Sequence, residues 1–362
     1  MKRLKFSAIG KIAAFAVALG LQVTGAALAD SGSVTVHVGT GDWAEANIKA
    51  YVEPFERATG IKVVPIKGWS TYAELKLWQD SNNVEVDVMY MPPSDTVAAN
   101  KQGWLQKIDY SIYPKEQIDN IKPAAKPPFG VGALYYSIAL SYFKDKFTGG
   151  QAPQSWADLW DVAKYPGKRT MYSGHIGVGV WEIALLADGV DPKDLYPIDF
   201  DRAIASLNKI RPHITKWWED GSDNQQLFAD RFVDVGAAFN GRIGNLQKKG
   251  MPLTIEWNQA LLFADYWVIP KGAKNAENAQ KFIQFITQPE PQATFASSIP
   301  YGPTNEGAYA FLDEKVAKQL PSHSSLISKQ VLFNPNWYAQ KDSKGKTNLE
   351  KGVALWNEWI LQ

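Results

Sequence analysis

Apolar and polar residues alternate from Val34 to Val38, the period of a half-buried strand, and the run stops at Gly39-Thr40-Gly41. Asp42 follows as a candidate helix cap, with Glu45 three residues on as its capping-box partner. Ile48, Tyr51, Val52 and Phe55 then recur at helical spacing, and Gly60 is placed to close that helix. Residues 61–64 predict the next strand, residues 72–80 a helix, and residues 86–90 a third strand running into Met91-Pro92-Pro93-Ser94. This order belongs to a parallel sheet covered by helices, in which ligands bind beyond the carboxyl ends of the strands. By that rule Trp43 and Ser94 fall near a cleft.

Residues 123–132 are loop-like and form the first candidate crossing between two halves of the chain. A helix is predicted to start at Ser155, and residues 168–171 read as a short strand. They lead into a glycine-rich turn, residues 172–179, before a helix from Trp181. Such a turn offers backbone N–H groups to an anion, although it lacks the Lys-Ser/Thr of the phosphate loop and also suits a plain turn of small residues. Ala203, Ile204, Leu207 and Ile210 mark an amphipathic helix.

The stretch from Val233 to Pro270 is the most informative. A strand-like run ends in Phe239, Asn240-Gly241 breaks it, and Arg242 opens a helix. A second apolar segment reaches Asp265 between aromatics, and residues 266–270 read as a short strand. Asn275 is a candidate cap for a helix with Ala279, Phe282, Ile283 and Ile286 on its apolar face. Residues 299–305 are a loop, and the remainder is helical in pieces. Arg242 and Asp265, each beside aromatics, suit a small molecule that carries both a carboxylate and an amine.

Charge and address narrow the partners. Met1-Lys2-Arg3-Leu4-Lys5, an apolar run from Ile12 to Leu21 and Ala27-Leu28-Ala29 read as a signal peptide cleaved after Ala29, too short to span a bilayer. The 333 residues beyond it hold 34 basic and 37 acidic side chains, because Lys2, Arg3, Lys5 and Lys11 leave with the leader. That balance gives no support for nucleic acid as a partner. The chain has no cysteine, hence no lipid-attachment site, disulfide or thiolate metal site. A soluble protein of a Gram-negative periplasm with two lobes is expected.

No catalytic constellation is found. His37, His175, His213 and His323 lie far apart, and neither HExxH nor GxSxG occurs. No catalytic residue, metal or cofactor is therefore assigned. A metal carrier using tyrosines such as Tyr135-Tyr136, or a secreted hydrolase with two opposed carboxylates, remains open at this level.

Several phrases together resemble the spermidine/putrescine-binding family of exported solute-binding proteins that serve ABC transporters. They are residues 55–63 (FERATGIKV), 103–109 (GWLQKID), 155–160 (SWADLW), Phe239-Asn240-Gly241, 265–274 (DYWVIPKGAK) and 301–305 (YGPTN), in the same order across nearly the whole chain. The resemblance implies an α/β, two-lobed class II periplasmic-binding-protein fold, each lobe a sheet flanked by helices and joined by a hinge. The expected division is residues 30–132 with 266–305 as the first lobe, 133–265 as the second, and 306–362 as a C-terminal segment packing on both. It also implies a monomer that delivers a small zwitterionic or cationic ligand to the permease subunits of an inner-membrane ABC importer.

The family's ligand residues map unevenly. Trp43 and Phe239 match its aromatic walls, Asp265 its hinge aspartate for an ammonium group, and Tyr301 its late tyrosine; Ser94 and Ser173 are added from their positions, with Tyr338 a weaker candidate. Polyamine binders carry a further Asp and Glu for the second amine, where this chain has Ser173–Gly179 and no carboxylate. Arg242 directly follows the Asn-Gly pair. A second ammonium there would be repelled, whereas a carboxylate would gain a charge-assisted contact. The expected ligand is therefore an ω-amino acid such as 4-aminobutyrate, with polyamine binding as the alternative.

Overall fold

The computed structural model describes residues 32–362. The leader and its cleavage point lie outside the described residues.

Strand β1 (Ser33–Gly39) buries Val34, Val36 and Val38 and pairs in parallel with β2 (Lys62–Lys67). Between them the helix Gly41–Asn47 runs through a π-helical turn, Ile48–Val52, into Glu53–Thr59. Gly60 closes it at a φ of 71°, where a side chain would be strained. Asp42 does not cap this helix. The chain enters it two residues earlier, with Thr40 at the cap, so Asp42 lies in the first turn and acts only on the helix dipole.

Strand β3 (Met89–Met91) starts later than the apolar run predicts. The segment before it is tied to β1 by the Val36–Val88 bridge and by Asp87, whose carboxylate accepts from Thr35 N at 2.8 Å. The same carboxylate takes the backbone and side-chain N–H groups of Asn275, which is why Asn275 stands at its helix cap without capping through its side chain.

Strands β4 (Val131–Phe143), β5 (Arg169–Tyr172), β6 (Ile214–Trp218), β7 (Val235–Phe239), β8 (Leu253–Val268) and β9 (Val331–Leu332) complete the fold. The large sheet runs β3-β8-β4-β7-β5-β6, with β9 beside β8. Antiparallel β4 and β8 are its axis, paired from Val131–Trp267 to Phe143–Leu253. The short strand expected at residues 266–270 is the end of β8. From Ala260 to Val268 burial on both faces removes the alternation that would have marked the strand.

Two hydrophobic cores share these two strands. Val131 to Tyr135 of β4, with Leu262, Ala264 and residues 266–269, pack on the β1–β3 side. Ile138 to Phe143, with Leu253, Leu261 and Phe263, pack with β5–β7, and Tyr136 touches both cores. The second core also takes in Phe333, Trp337, Tyr338, Trp356 and Trp359 from the C-terminal segment. Glu182, fully buried in the helix Val180–Ala187, fastens that segment: it accepts from the hydroxyls of Tyr196 and Tyr338, each at 2.8 Å, and from Gly179 N at 2.9 Å. Burial raises its carboxyl above the usual range, and these bonds oppose the rise.

Candidate functional site: a charged cleft at the hinge

Two connected cavities open at the place where β4 and β8 pass from one core to the other. The outer one measures about 660 Å³ and the inner one about 170 Å³, and Trp43, Trp69, Gly221, Arg242 and Tyr301 line both.

Asp265 forms the inner end. Successive residues of a strand point to opposite faces, so Asp265 enters this cleft while Ala264 and Tyr266 line a crevice on the other side of the sheet. The residue is 5% exposed, and its Oδ1 has no hydrogen-bond partner among the described residues. Burial pushes its pKa up to about 7; the hydroxyls of Tyr90 and Tyr136 hold it down and Asp95 adds repulsion. Both hydroxyls are themselves raised well above their ordinary value, first by burial and then by the Asp265 charge. A buried acceptor without a donor costs free energy, which an incoming ammonium group would recover.

Arg242 occupies the first turn of the helix Asn240–Lys248, half-buried and without an ion pair to any described residue. A cation at a helix N-terminus opposes the helix dipole, so local stability does not account for it. Its guanidinium lies along Gly221, where a Cβ would come within 2.6 Å of Nε. A side chain at the start of the helix Gly221–Ala229 would therefore push the guanidinium aside.

Aromatic rings join the two charges. Trp43 meets Trp69 at 5.4 Å, Tyr90 at 5.5 Å and Tyr301 at 5.6 Å between ring centroids. Tyr136 meets Phe239 at 5.6 Å and Tyr301 at 6.2 Å. Such faces can cover methylene groups and attract a cation.

Of the positions singled out from sequence, Trp43, Phe239, Arg242, Asp265 and Tyr301 line this cleft. Ser94 does not; it is buried in the first turn of the helix Pro93–Lys101. Ser173 lies away from both cavities, its hydroxyl 2.5 Å from His175 Nδ1 and its N–H given to Trp218 O. Three amides of the turn after it are already taken: those of His175, Gly177 and Gly179 bond to Ser173 Oγ, Gly174 O and Glu182 Oε2. Its glycines accommodate a packed helix rather than an anion, since a Cβ on Gly174 would strike the Trp356 ring at 2.5 Å. Tyr338 is held on Glu182 in the second core.

Trp69, Tyr90 and Gly221 also line the cleft and were not singled out, and Tyr136, named only for metal binding, lines it too. A signal existed for Trp69, which follows a glycine at the carboxyl end of β2 much as Trp43 follows one at the end of β1. Among the described residues, no group of three or more His, Cys, Asp or Glu side chains is placed to hold a metal ion.

A cleft between two lobes, lined by unpaired charges of both signs and by aromatic rings, defines a receptor for small solutes. Residues 50–322 match the family of bacterial extracellular solute-binding proteins, and the chain belongs to that family. It is 36% identical over 310 residues to the gamma-aminobutyric acid-binding protein of Pseudomonas aeruginosa, covering 84% of this chain and 86% of that one. It is 27% identical over 336 residues to the spermidine/putrescine-binding periplasmic protein of Salmonella typhimurium, covering 88% and 90%. The solved structure of an ABC transporter substrate-binding protein from Bradyrhizobium japonicum matches with a TM-score of 0.83 at 32% identity, over 91% of this chain and 99% of that one. The two-lobed fold and the solute-binding role expected from the sequence are thereby borne out.

Proposed function

We propose that the protein captures a small zwitterionic amino-carboxylate, 4-aminobutyrate or a near relative, in the periplasm and hands it to the permease of an ABC importer. The observation that carries this reading is the presence of opposite charges in one cleft: the buried Asp265, whose Oδ1 has no partner among the described residues, and Arg242, which has no ion pair among them. The ammonium end enters the inner cavity against Asp265, where Trp43, Tyr90 and Tyr136 surround it. The carboxylate end lies toward Arg242, and Phe239 and Tyr301 cover the methylenes between. The glycine-rich turn plays no part. Support also comes from the higher identity to the gamma-aminobutyric acid-binding relative than to the polyamine-binding one.

Capture proceeds by closure about β4 and β8, with residues 30–132 and 266–305 moving against 133–265. The ligand is held and released without turnover. A thermal-shift screen of ω-amino acids, α-amino acids, polyamines and sugars, followed by calorimetry, tests the proposal. One-to-one binding of 4-aminobutyrate or a close homologue is expected. Tight binding of putrescine or spermidine with no response to any ω-amino acid overturns it.

A further inference from the structure

The helix Asn240–Lys248 carries Arg242 into the cleft, and one face of it lies against the opposite lobe. Asn240, Gly244 and Lys248 recur every four residues and so share that face, with Gly241 beside them. Ile243 and Leu246 root the helix in the second core, whereas Phe295, Ile299 and Tyr301 belong to the first. The contacts this face makes with Ser297, Ser298, Pro300 and Tyr301 therefore cross from lobe to lobe.

The two ends of the seam differ in kind. Asn240 is 1% exposed; its Oδ1 accepts from Ser137 N on β4 and its Nδ2 donates to Pro300 O, both at 2.8 Å. Gly241 and Gly244 let the backbone reach Tyr301 and Pro300, where a Cβ would come within 2.4 Å and 2.7 Å. Lys248, about 12 Å further along the helix, is exposed. Its Nζ donates to the carbonyls of Ser297 and Ser298, at 3.2 Å and 3.3 Å, in the last turn of the helix Pro289–Ser298. Those terminal carbonyls lack intrahelical partners and carry the negative end of the helix dipole, a natural seat for a cation. Lys248 has no ion pair with a described residue, so only these carbonyls hold it.

Rotation about β4 barely moves the Asn240 end, which bonds to the hinge strand itself. The same rotation moves the Lys248 end most, so opening must first draw the ammonium away from its carbonyls. We propose that Lys248 is an inter-lobe latch, a residue outside the ligand's cavities that slows ligand release by holding the lobes together. The latch rests on capture by lobe closure and not on which solute is captured.

The cysteine-free chain makes the test direct. Spin labels at Lys67→Cys on β2 and Lys216→Cys on β6, one in each lobe, report inter-lobe distance without ligand. In that background Lys248→Met is expected to shift the distances toward longer values, while Lys248→Arg keeps the wild-type distribution. With 4-aminobutyrate as the probe, Lys248→Met should dissociate about three- to tenfold faster with association nearly unchanged, and Lys248→Arg should restore retention. A Lys248→Met protein with wild-type distances and a wild-type dissociation rate overturns the latch. If 4-aminobutyrate fails to bind the unmodified protein, the ligand assignment falls and the distance measurement alone decides the latch.

Discussion

Asp265 is a carboxylate almost wholly withdrawn from solvent at the inner end of the cleft, with one oxygen left for a donor that no described residue supplies. Its pKa of about 7 in the fold lies above its ordinary 3.8, so the ligand-free fold keeps a proton that the unfolded chain releases between those values. Stability therefore falls as pH rises through that window and levels off above it. The rise from 3.8 to about 7 corresponds to a loss on the order of 4 kcal/mol. Asp265→Asn removes the buried charge: the ligand-free variant should be more stable than wild type at pH 8 and gain little near pH 4, as read by urea denaturation. The same substitution should weaken 4-aminobutyrate binding about ten- to a hundredfold. Because an ammonium ligand selects the ionised carboxylate, binding at pH 6 should release a proton. Calorimetry in buffers of different ionisation enthalpy would measure it, and its absence would contradict the ammonium–Asp265 contact.

Among the elements, the helices starting at Gly221 and Asn240 act as a pair, because the first leaves room for the Arg242 side chain of the second. Gly221→Ala should displace the guanidinium and lower affinity for the carboxylate ligand without lowering the melting temperature; Arg242→Ala should cost about ten- to a hundredfold in Kd. Equal affinity in both variants would remove Arg242 from the site. Gly236 presents a different case. A Cβ there would lie 2.1 Å from Thr170 O, a backbone atom that cannot swing aside, so β7 could not pair with β5. Gly236→Ala should destabilise by several kcal/mol through overpacking, visible as a large fall in melting temperature.

Much at this scale was legible where one signal acted alone. The alternation in β1, the stop at Gly60 and the break at Asn240-Gly241 each follow from local rules. Arg242 and Asp265 stood out because each is a charge set at the end of an apolar run. β4 was not legible as a long strand, nor was β8 from Ala260 to Val268, since the two cores bury these stretches on both sides and erase the period. Ser94 and Ser173 lie outside both cavities for a related reason. Position near a strand end says that a residue is close to the cleft, but not which way it turns or what later segment covers it. Trp356 comes far later in the chain and covers the turn after Ser173.

At the scale of the molecule, the C-terminal helix Asn348–Ile360 is part of the second core rather than an addition to it. Trp356 packs on Trp217 at 5.3 Å and Trp359 at 5.1 Å, and its ring occupies the space left by Gly174. Trp356→Ala should cost about 3–5 kcal/mol, measured by chemical denaturation. Any effect on ligand affinity should be smaller, because the ring lies outside the cleft.

The weaving of β4 and β8 through both cores also bears on the order in which the chain can fold. The β1–β3 side holds the earliest described residues, yet its core is incomplete without Leu262, Tyr266, Trp267, Phe282 and Phe295. A nascent chain that has delivered its first two hundred residues still lacks the strand that pairs with β3. Contacts so distant in sequence form slowly and late. A polypeptide built this way stays loose for most of its synthesis, a condition that suits passage through a narrow channel before it closes on anything.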